Sequence, residues 1–332
     1  MDLAVAEPQE IEPPPRKRKS GTVTALVALA VLGLLAWTAP VLLGFDTQNR
    51  YTIALVAILQ YALPVGVVLV VLGLALRRWI STLVAALLTV LLAVLVLPRG
   101  IPDSPTPVQG TPLRVLSVNL YFGQAQPERV VELVRSRRVD VLSLQEVTPE
   151  AVAALDRAGL RELLPHRVVH ARPGADGTGI ASRFPMRELS LVPPTSLAQP
   201  SARIDLPGGR DVEFVGVHPL YPMGADTAGS WLREITALPG PPAEGGPARV
   251  LAGDFNGTLD HTPLRTMLGR GYSDAAEVTG GGFTPTWGSG WVPRVTIDHV
   301  LTSAGVVAQA YSVLDVPGSD HRAVFAHLVV PS

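Results

Sequence analysis

The sequence predicts an α/β sandwich carried behind three membrane-spanning helices. Two observations predict it. The long apolar runs are confined to residues 21–98. From Pro112 onward, short apolar strand patterns alternate with helical ones, and acids, amides and imidazoles collect at strand ends.

Residues 1–20 are polar and Pro-rich and close on the basic run Arg16-Lys17-Arg18-Lys19, the composition of a disordered cytoplasmic tail. Three apolar segments follow, at about 21–44, 51–76 and 79–98. Each is long enough to cross a hydrocarbon core of about 30 Å as a helix. The basic tail and the Arg77-Arg78 pair are expected on the cytoplasmic side. Three spans from an inside N-terminus then place everything after Arg99 outside, as a multi-pass protein of the cell membrane with an extracytoplasmic catalytic domain. Residues 99–111 form a stiff Pro-rich linker, and 112–332 are enough for one large domain with its own core.

Composition removes several classes of function. The chain has no cysteine, so disulfides, thiolate catalysis and cysteine–zinc sites are excluded. From Gly110 onward there are 19 arginines, no lysine and 22 acidic residues, a slight acidic excess where a nucleic-acid binder needs a basic one. There is no Gly-Lys-Ser/Thr phosphate loop.

Within the domain, residues 113–120 and 139–147 read as buried strands, separated by a helix over 127–138. A helix over 149–158 and a strand over 178–186 follow. Residues 202–206 and 211–219 form a hairpin around Pro207-Gly208-Gly209. A short helix over 227–238 and strands over 248–256, 294–302 and 323–330 complete the pattern.

Polar residues collect where these strands end: Asn119, Gln145-Glu146, His218, Asp254 and Asn256, Asp298-His299, and Ser319-Asp320-His321. Burying such groups is costly unless they bind a metal or one another. Strand ends on one rim bring them into one cleft. Carboxylate and amide oxygens suit a hard cation, Mg²⁺ or Ca²⁺, over zinc. Imidazoles beside them suit phosphoryl contact or proton transfer.

The ordered set VNLYF, LQEV, GIASRFP, VGVHP, LAGDFN, TIDHVL and GSDHRAV resembles the endonuclease/exonuclease/phosphatase superfamily over about residues 112–330. The resemblance implies a four-layer, DNase I-like α/β sandwich and a metal-dependent phosphatase or phosphodiesterase. It implies Mg²⁺ as cofactor, with Mn²⁺ an alternative. Glu146 would be the main metal ligand, with Asn119 and Asp320 near the metal. Asp254 would orient or deprotonate the attacking water, Asn256 would hold the scissile phosphate, and His218 would touch a phosphate oxygen. Asp298 would pair with His321 and keep that imidazole charged. Whether Asp254 or His321 moves the proton stays open at this point.

Three spans ahead of such a domain are similar to the VanJ-type membrane proteins linked to teicoplanin-class glycopeptide resistance. That resemblance implies a phosphorylated-lipid substrate in the membrane, polyprenyl (undecaprenyl) pyrophosphate, and no nucleic-acid partner; the sequence carries no signal of oligomeric state. An extracytoplasmic nuclease, a phospholipid phosphodiesterase and a non-catalytic membrane scaffold are the competing readings. Trp287 and Trp291, in a Gly- and Pro-rich loop ahead of Asp298, either pack in the core or meet lipid at the rim of the site, with Trp287 as a substrate contact.

Overall fold

The computed structural model describes residues 21–104, 108–208 and 211–331. The basic tail, residues 105–107 of the linker, Gly209 and Arg210 in the hairpin turn, and Ser332 lie outside the described residues. The apolar region forms α1 (Gly21–Leu43), α2 (Arg50–Ala57), a 3₁₀ turn at Leu59–Tyr61, α3 (Ala62–Ala75) and α4 (Trp79–Val96), which continues as a 3₁₀ turn to Gly100. Among the described residues, two helices, Gly21–Leu43 with 23 residues and Trp79–Gly100 with 22, are each long and apolar enough to cross a membrane.

The expected span over 51–76 is bent: α2 meets the helix over Leu59–Ala75 at 53°, and the two make a third membrane-length segment only when taken together. The cause is local chemistry. Asn49 accepts the backbone N–H groups of Tyr51 and Thr52 and starts α2 as a helix of its own. Ile53 is buried in one core with Trp231, Phe255 and Leu264 of the sandwich. Ile53, near the start of this segment, is therefore covered by the sandwich.

The rest of the chain forms two six-stranded sheets. The first contains β1 (Gly110–Asn119), β2 (Val141–Gln145), β3 (His166–His170), β4 (Thr178–Ser182), β11 (Val307–Leu314) and β12 (Ala323–Pro331). Its order is β11-β12-β1-β2-β4-β3. The second contains β5 (Met186–Leu189), β6 (Ser201–Asp205), β7 (Asp211–Val217), β8 (Ala248–Asp254), β9 (Tyr272–Asp274) and β10 (Asp298–Ser303). Its order is β5-β6-β7-β8-β10-β9. The pairs β1/β2 and β7/β8 are parallel, and the remaining neighbours are antiparallel.

Period-two alternation builds the layers. In β1, Leu113 and Val115 face the second sheet, in one core with Ile204, Phe214 and Val250. Leu116 and Val118 face outward, against α5 (Pro127–Ser136), α6 (Pro149–Arg157) and α7 (Leu160–Leu163). On the far side, α8 (Ala228–Thr236) and α9 (Thr262–Gly269) cover Val215, Leu251 and Leu301. The result is helix, sheet, sheet, helix, with α10 (Ala275–Val278) leading out of β9. The strands β3, β5, β9 and β11 were not expected from sequence. All four lie at or next to a sheet edge, and β11 has exposed residues in its middle, so they lack a clear apolar run.

Candidate active site

The parallel strands β1 and β8 end on one rim, and the antiparallel partners β10 and β12 start from it. Asn119 closes β1, Asp254 closes β8, and Asp298 opens β10 directly opposite Asp254. Glu146 and His218 follow β2 and β7, and His321 lies two residues before β12. Asn119, His218, Asp254, Asp298 and His321 are all buried, and Glu146 is partly exposed.

The centre is a knot of oxygens around one amide. Asn119 Nδ2 donates to Glu146 Oε1 and to Asp254 Oδ2, both at 3.2 Å. Asn119 Oδ1 accepts from the Tyr121 N–H at 2.9 Å, and Glu146 Oε2 accepts from the Phe122 N–H at 2.7 Å. Tyr121, Phe122 and Glu146 all have φ near +50°. Left-handed backbone costs an ordinary residue about 1–2 kcal/mol and concentrates at functional sites. Here it turns two N–H groups and one carboxylate toward the same point.

The loop after β8 is built by alternation. Phe255 is fully buried in the core beneath α8, where the Trp231 indole donates to its carbonyl at 3.0 Å. Asp254 and Asn256 therefore point the other way. Asp254 Oδ1 accepts from the Asn256 N–H at 2.8 Å, and Asn256 Nδ2 donates to the Pro219 carbonyl at 3.1 Å. That second bond ties the loop to the one carrying His218.

Asp298 Oδ2 meets His321 Nδ1 at 2.9 Å, and His321 Nε2 lies 3.7 Å from Asp254 Oδ2. Burial alone would lower the His321 pKa; the charges of Asp298 and Asp254 outweigh it and lift it to about 10. His321 is thus an imidazolium at neutral pH. Burial also pushes Asp254 up to about 7, with Asp298 adding to the rise and His321 opposing it. Glu146 is raised by burial, against the hydrogen bonds from Phe122 and Asn119. His218 is driven the other way by burial, down to about 3, and stays neutral.

Atoms of Asp254, Asp298 and His321 lie within 4.8 Å of one another, close enough to hold a metal. A charged His321, however, carries a proton on the nitrogen that a metal would need, and its other nitrogen is committed to Asp298. The carboxylates of Glu146 and Asp254, both raised by burial, suit a hard cation better; Asn119 turns its Nδ2 toward both of them and its Oδ1 toward the Tyr121 N–H. Asp320 is exposed, and its Oδ2 accepts from the Trp287 indole at 3.1 Å.

The structure thus brings Asn119, Glu146, Asp254 and Asn256 into one hydrogen-bonded set, and the Asp298–His321 pair meets it through the 3.7 Å charge contact with Asp254. His218 joins it through the Pro219 carbonyl, and Asp320 borders it beside Trp287. Trp287 is half-buried, with its ring 6.4 Å from that of His321, and Trp291 is fully exposed. His299, although adjacent to Asp298, points to the opposite face, where it meets Asp274 and the Gly257 carbonyl.

Three further residues support the site, and two of them, Thr286 and Gln199, escape sequence reasoning. Ser319 Oγ donates to the Asn119 carbonyl at 2.7 Å and accepts from the His321 N–H, locking β1 to the histidine. Thr286 Oγ1 accepts from the N–H groups of Ile297 and Asp298. Gln199 Oε1 accepts from the His218 N–H at 3.1 Å. Only Ser319, inside the GSDHRAV motif, gave any sequence signal.

Comparisons with solved structures extend the fold. An endonuclease/exonuclease/phosphatase from Beutenbergia cavernae aligns with TM-score 0.53 and 18% identity over 67% of this chain and 72% of that one. A truncated Caenorhabditis elegans TDP2 aligns with TM-score 0.50 and 18% identity over 67% and 99%. A humanized D. rerio TDP2 aligns with TM-score 0.50 and 15% identity over 65% and 98%. Comparison with curated proteins gives no match. The sequence profile of the Endonuclease/Exonuclease/phosphatase family matches residues 116–321, more than half of the chain, and the protein belongs to that family.

Proposed function

We propose that the site is a metal-dependent phosphohydrolase acting on a lipid-linked phosphate at the outer face of the cytoplasmic membrane. Polyprenyl (undecaprenyl) pyrophosphate is the substrate proposed, with a role in glycopeptide (teicoplanin) resistance of the VanJ type. The observation that carries the reading is the junction between the sandwich and the ends of the apolar helices. Arg99, at the end of the Trp79–Gly100 helix, makes a two-pronged ion pair with Asp260, at 2.8 and 2.9 Å. Asp46, after α1, accepts from the Thr262 N–H and hydroxyl at 2.6 Å each. Asp260 and Thr262 follow the Asp254–Asn256 loop closely, so the chemistry is held next to the apolar helices. The arginines at 77–78 lie at the other end of α3 and α4, which supports an outward-facing domain.

In this reading Glu146, Asn119 and Asp320 would hold Mg²⁺, which would supply charge neutralisation at the phosphoryl group. Asn256 and the neutral His218 hold phosphoryl oxygens. Asp254 receives the water's proton, since its carboxylate lies in the site with a pKa near neutrality. His321, kept charged by Asp298, stabilises the negative charge that builds up in the transition state and protonates the leaving oxygen. The acidic balance of the domain supports a lipid over a nucleic acid.

The test is a panel of polyprenyl pyrophosphate, phosphoinositide, sphingomyelin and plasmid DNA with full-length protein in detergent and Mg²⁺. Phosphate release confined to the polyprenyl substrate is expected. Nicking of DNA, or turnover of phosphodiester lipids alone, would replace the reading.

A further inference from the structure

One loop joins the site to the apolar helices. Trp287 and Val295 pair at its base through two backbone hydrogen bonds of 3.0 Å, so residues 288–294 project as a hairpin tip. The inner side of the base is fixed in the site, because Trp287 also bridges the backbone of His321 and its indole donates to Asp320. The outer side is fixed to the helices. The Arg294 carbonyl accepts from Gln60 Nε2 at 3.1 Å and from Tyr61 Oη at 2.9 Å. Gln60 and Tyr61 form the turn directly ahead of α3. Nearby, a Cβ on Gly100 would sit 2.8 Å from the Phe283 ring, so this aromatic lies on the end of the Trp79–Gly100 helix.

The tip reads Gly-Ser-Gly-Trp-Val-Pro-Arg, with one cation and no acid. Trp291 has a relative exposure of 103%, and Val292 and Phe283 are exposed as well. An outward Trp at the level where two membrane-length helices end is placed where aromatic side chains favour the lipid–water boundary. The lone Arg294 suits anionic head groups.

We propose that the hairpin tip 288–294 inserts Trp291 and Val292 into the head-group region of the membrane that holds the apolar helices. The site beside Trp287 then draws its substrate from that leaflet. The substrate class is an amphiphile whose phosphoryl group stands at the interface while its chain remains in the bilayer. The inference rests on the hydrolytic reading of the site and adds how the substrate reaches it.

The chain has no cysteine, so Ser289→Cys gives a single labelling position at the tip, and Glu150→Cys on α6 gives a water-facing control. Full-length protein in nanodiscs of anionic phospholipid is labelled with an environment-sensitive dye and exposed to lipid-borne and aqueous quenchers. Quenching of the tip label by lipid-borne quencher is expected, with aqueous quenching at the control. Quenching of the tip by the aqueous agent alone overturns the proposal. Shielding from both agents also overturns it, and indicates a protein partner. In parallel, Trp291→Ser with Val292→Ser is expected to lower turnover of bilayer lipid about 10-fold, leaving a water-soluble short-chain pyrophosphate within about 2-fold. Equal loss on both substrates overturns it. Wild-type protein that hydrolyses neither substrate sinks the hydrolytic reading instead, while the quenching still decides insertion.

Discussion

Asp298→Asn removes one charge from the buried pair with His321 and leaves an amide able to hydrogen-bond. His321 stands at about 10, lifted from 6.5 by Asp298 and Asp254 against burial. Removing one opposite charge at 2.9 Å costs such a group roughly 1–3 pKa units. The same charge also raises Asp254, which stands at about 7. Both groups therefore move down together when Asp298 is neutralised. Turnover needs Asp254 ionised and His321 protonated, so both limbs of the pH profile shift to lower pH. With a drop of roughly 2 units in His321, about 10% of the enzyme keeps the proton at pH 9, a loss on the order of 10-fold. The assay is phosphate release against pH at fixed Mg²⁺ for wild type and variant. An alkaline limb that stays in place would refute the coupling of Asp298 to His321, and with it the assignment of the charged imidazole.

Further outcomes follow from the same geometry. His218 is buried and neutral, with a folded pKa of about 3 against 6.5 unfolded. Its contribution to stability is present above pH 6.5 and is lost as pH falls toward 3, at about 1.4 kcal/mol per pH unit. His218→Asn should remove that part of the acid sensitivity between pH 6.5 and 4, read as unfolding midpoints; identical slopes in the two proteins would argue against a neutral buried His218. Arg99→Ala leaves Asp260 buried without its partner, at a cost of roughly 3 kcal/mol, and should expose the junction to proteolysis. An unchanged digestion rate would count against that ion pair holding the domain to the helices. Gln199→Leu removes the acceptor of the His218 N–H. It should raise KM for the phosphorylated substrate more than it lowers kcat, with Gln199→Glu restoring part of the binding.

The sandwich was legible because its central strands are apolar on both faces. Covered by a helix layer outside and a second sheet inside, β1, β2, β7 and β8 read as unbroken runs. Their polar ends were legible for the same reason: an Asn119 or Asp254 after such a run has no bland place to go. Adjacent residues were harder. Asp298 and His299 look alike in sequence, and only alternation along β10 sends one to the site and the other to Asp274. The bend at Ile58 was not legible, because hydropathy does not separate burial in lipid from burial in protein. Ile53 lies against the core of the sandwich, and its carbonyl meets His261, 208 residues away in sequence. Thr286 and Gln199 act through single hydrogen bonds to distant strands, a relation that leaves no local pattern.

The most direct measurement is phosphate release from polyprenyl pyrophosphate by the full-length protein, with Mg²⁺ and after chelation, for wild type and Asp254→Ala. Activity that disappears on chelation, returns with Mg²⁺ and is absent in the variant is the predicted result. Undiminished turnover by Asp254→Ala would contradict its role as the group that takes the water's proton, and undiminished turnover by the chelated wild type would contradict a hard cation held at Glu146.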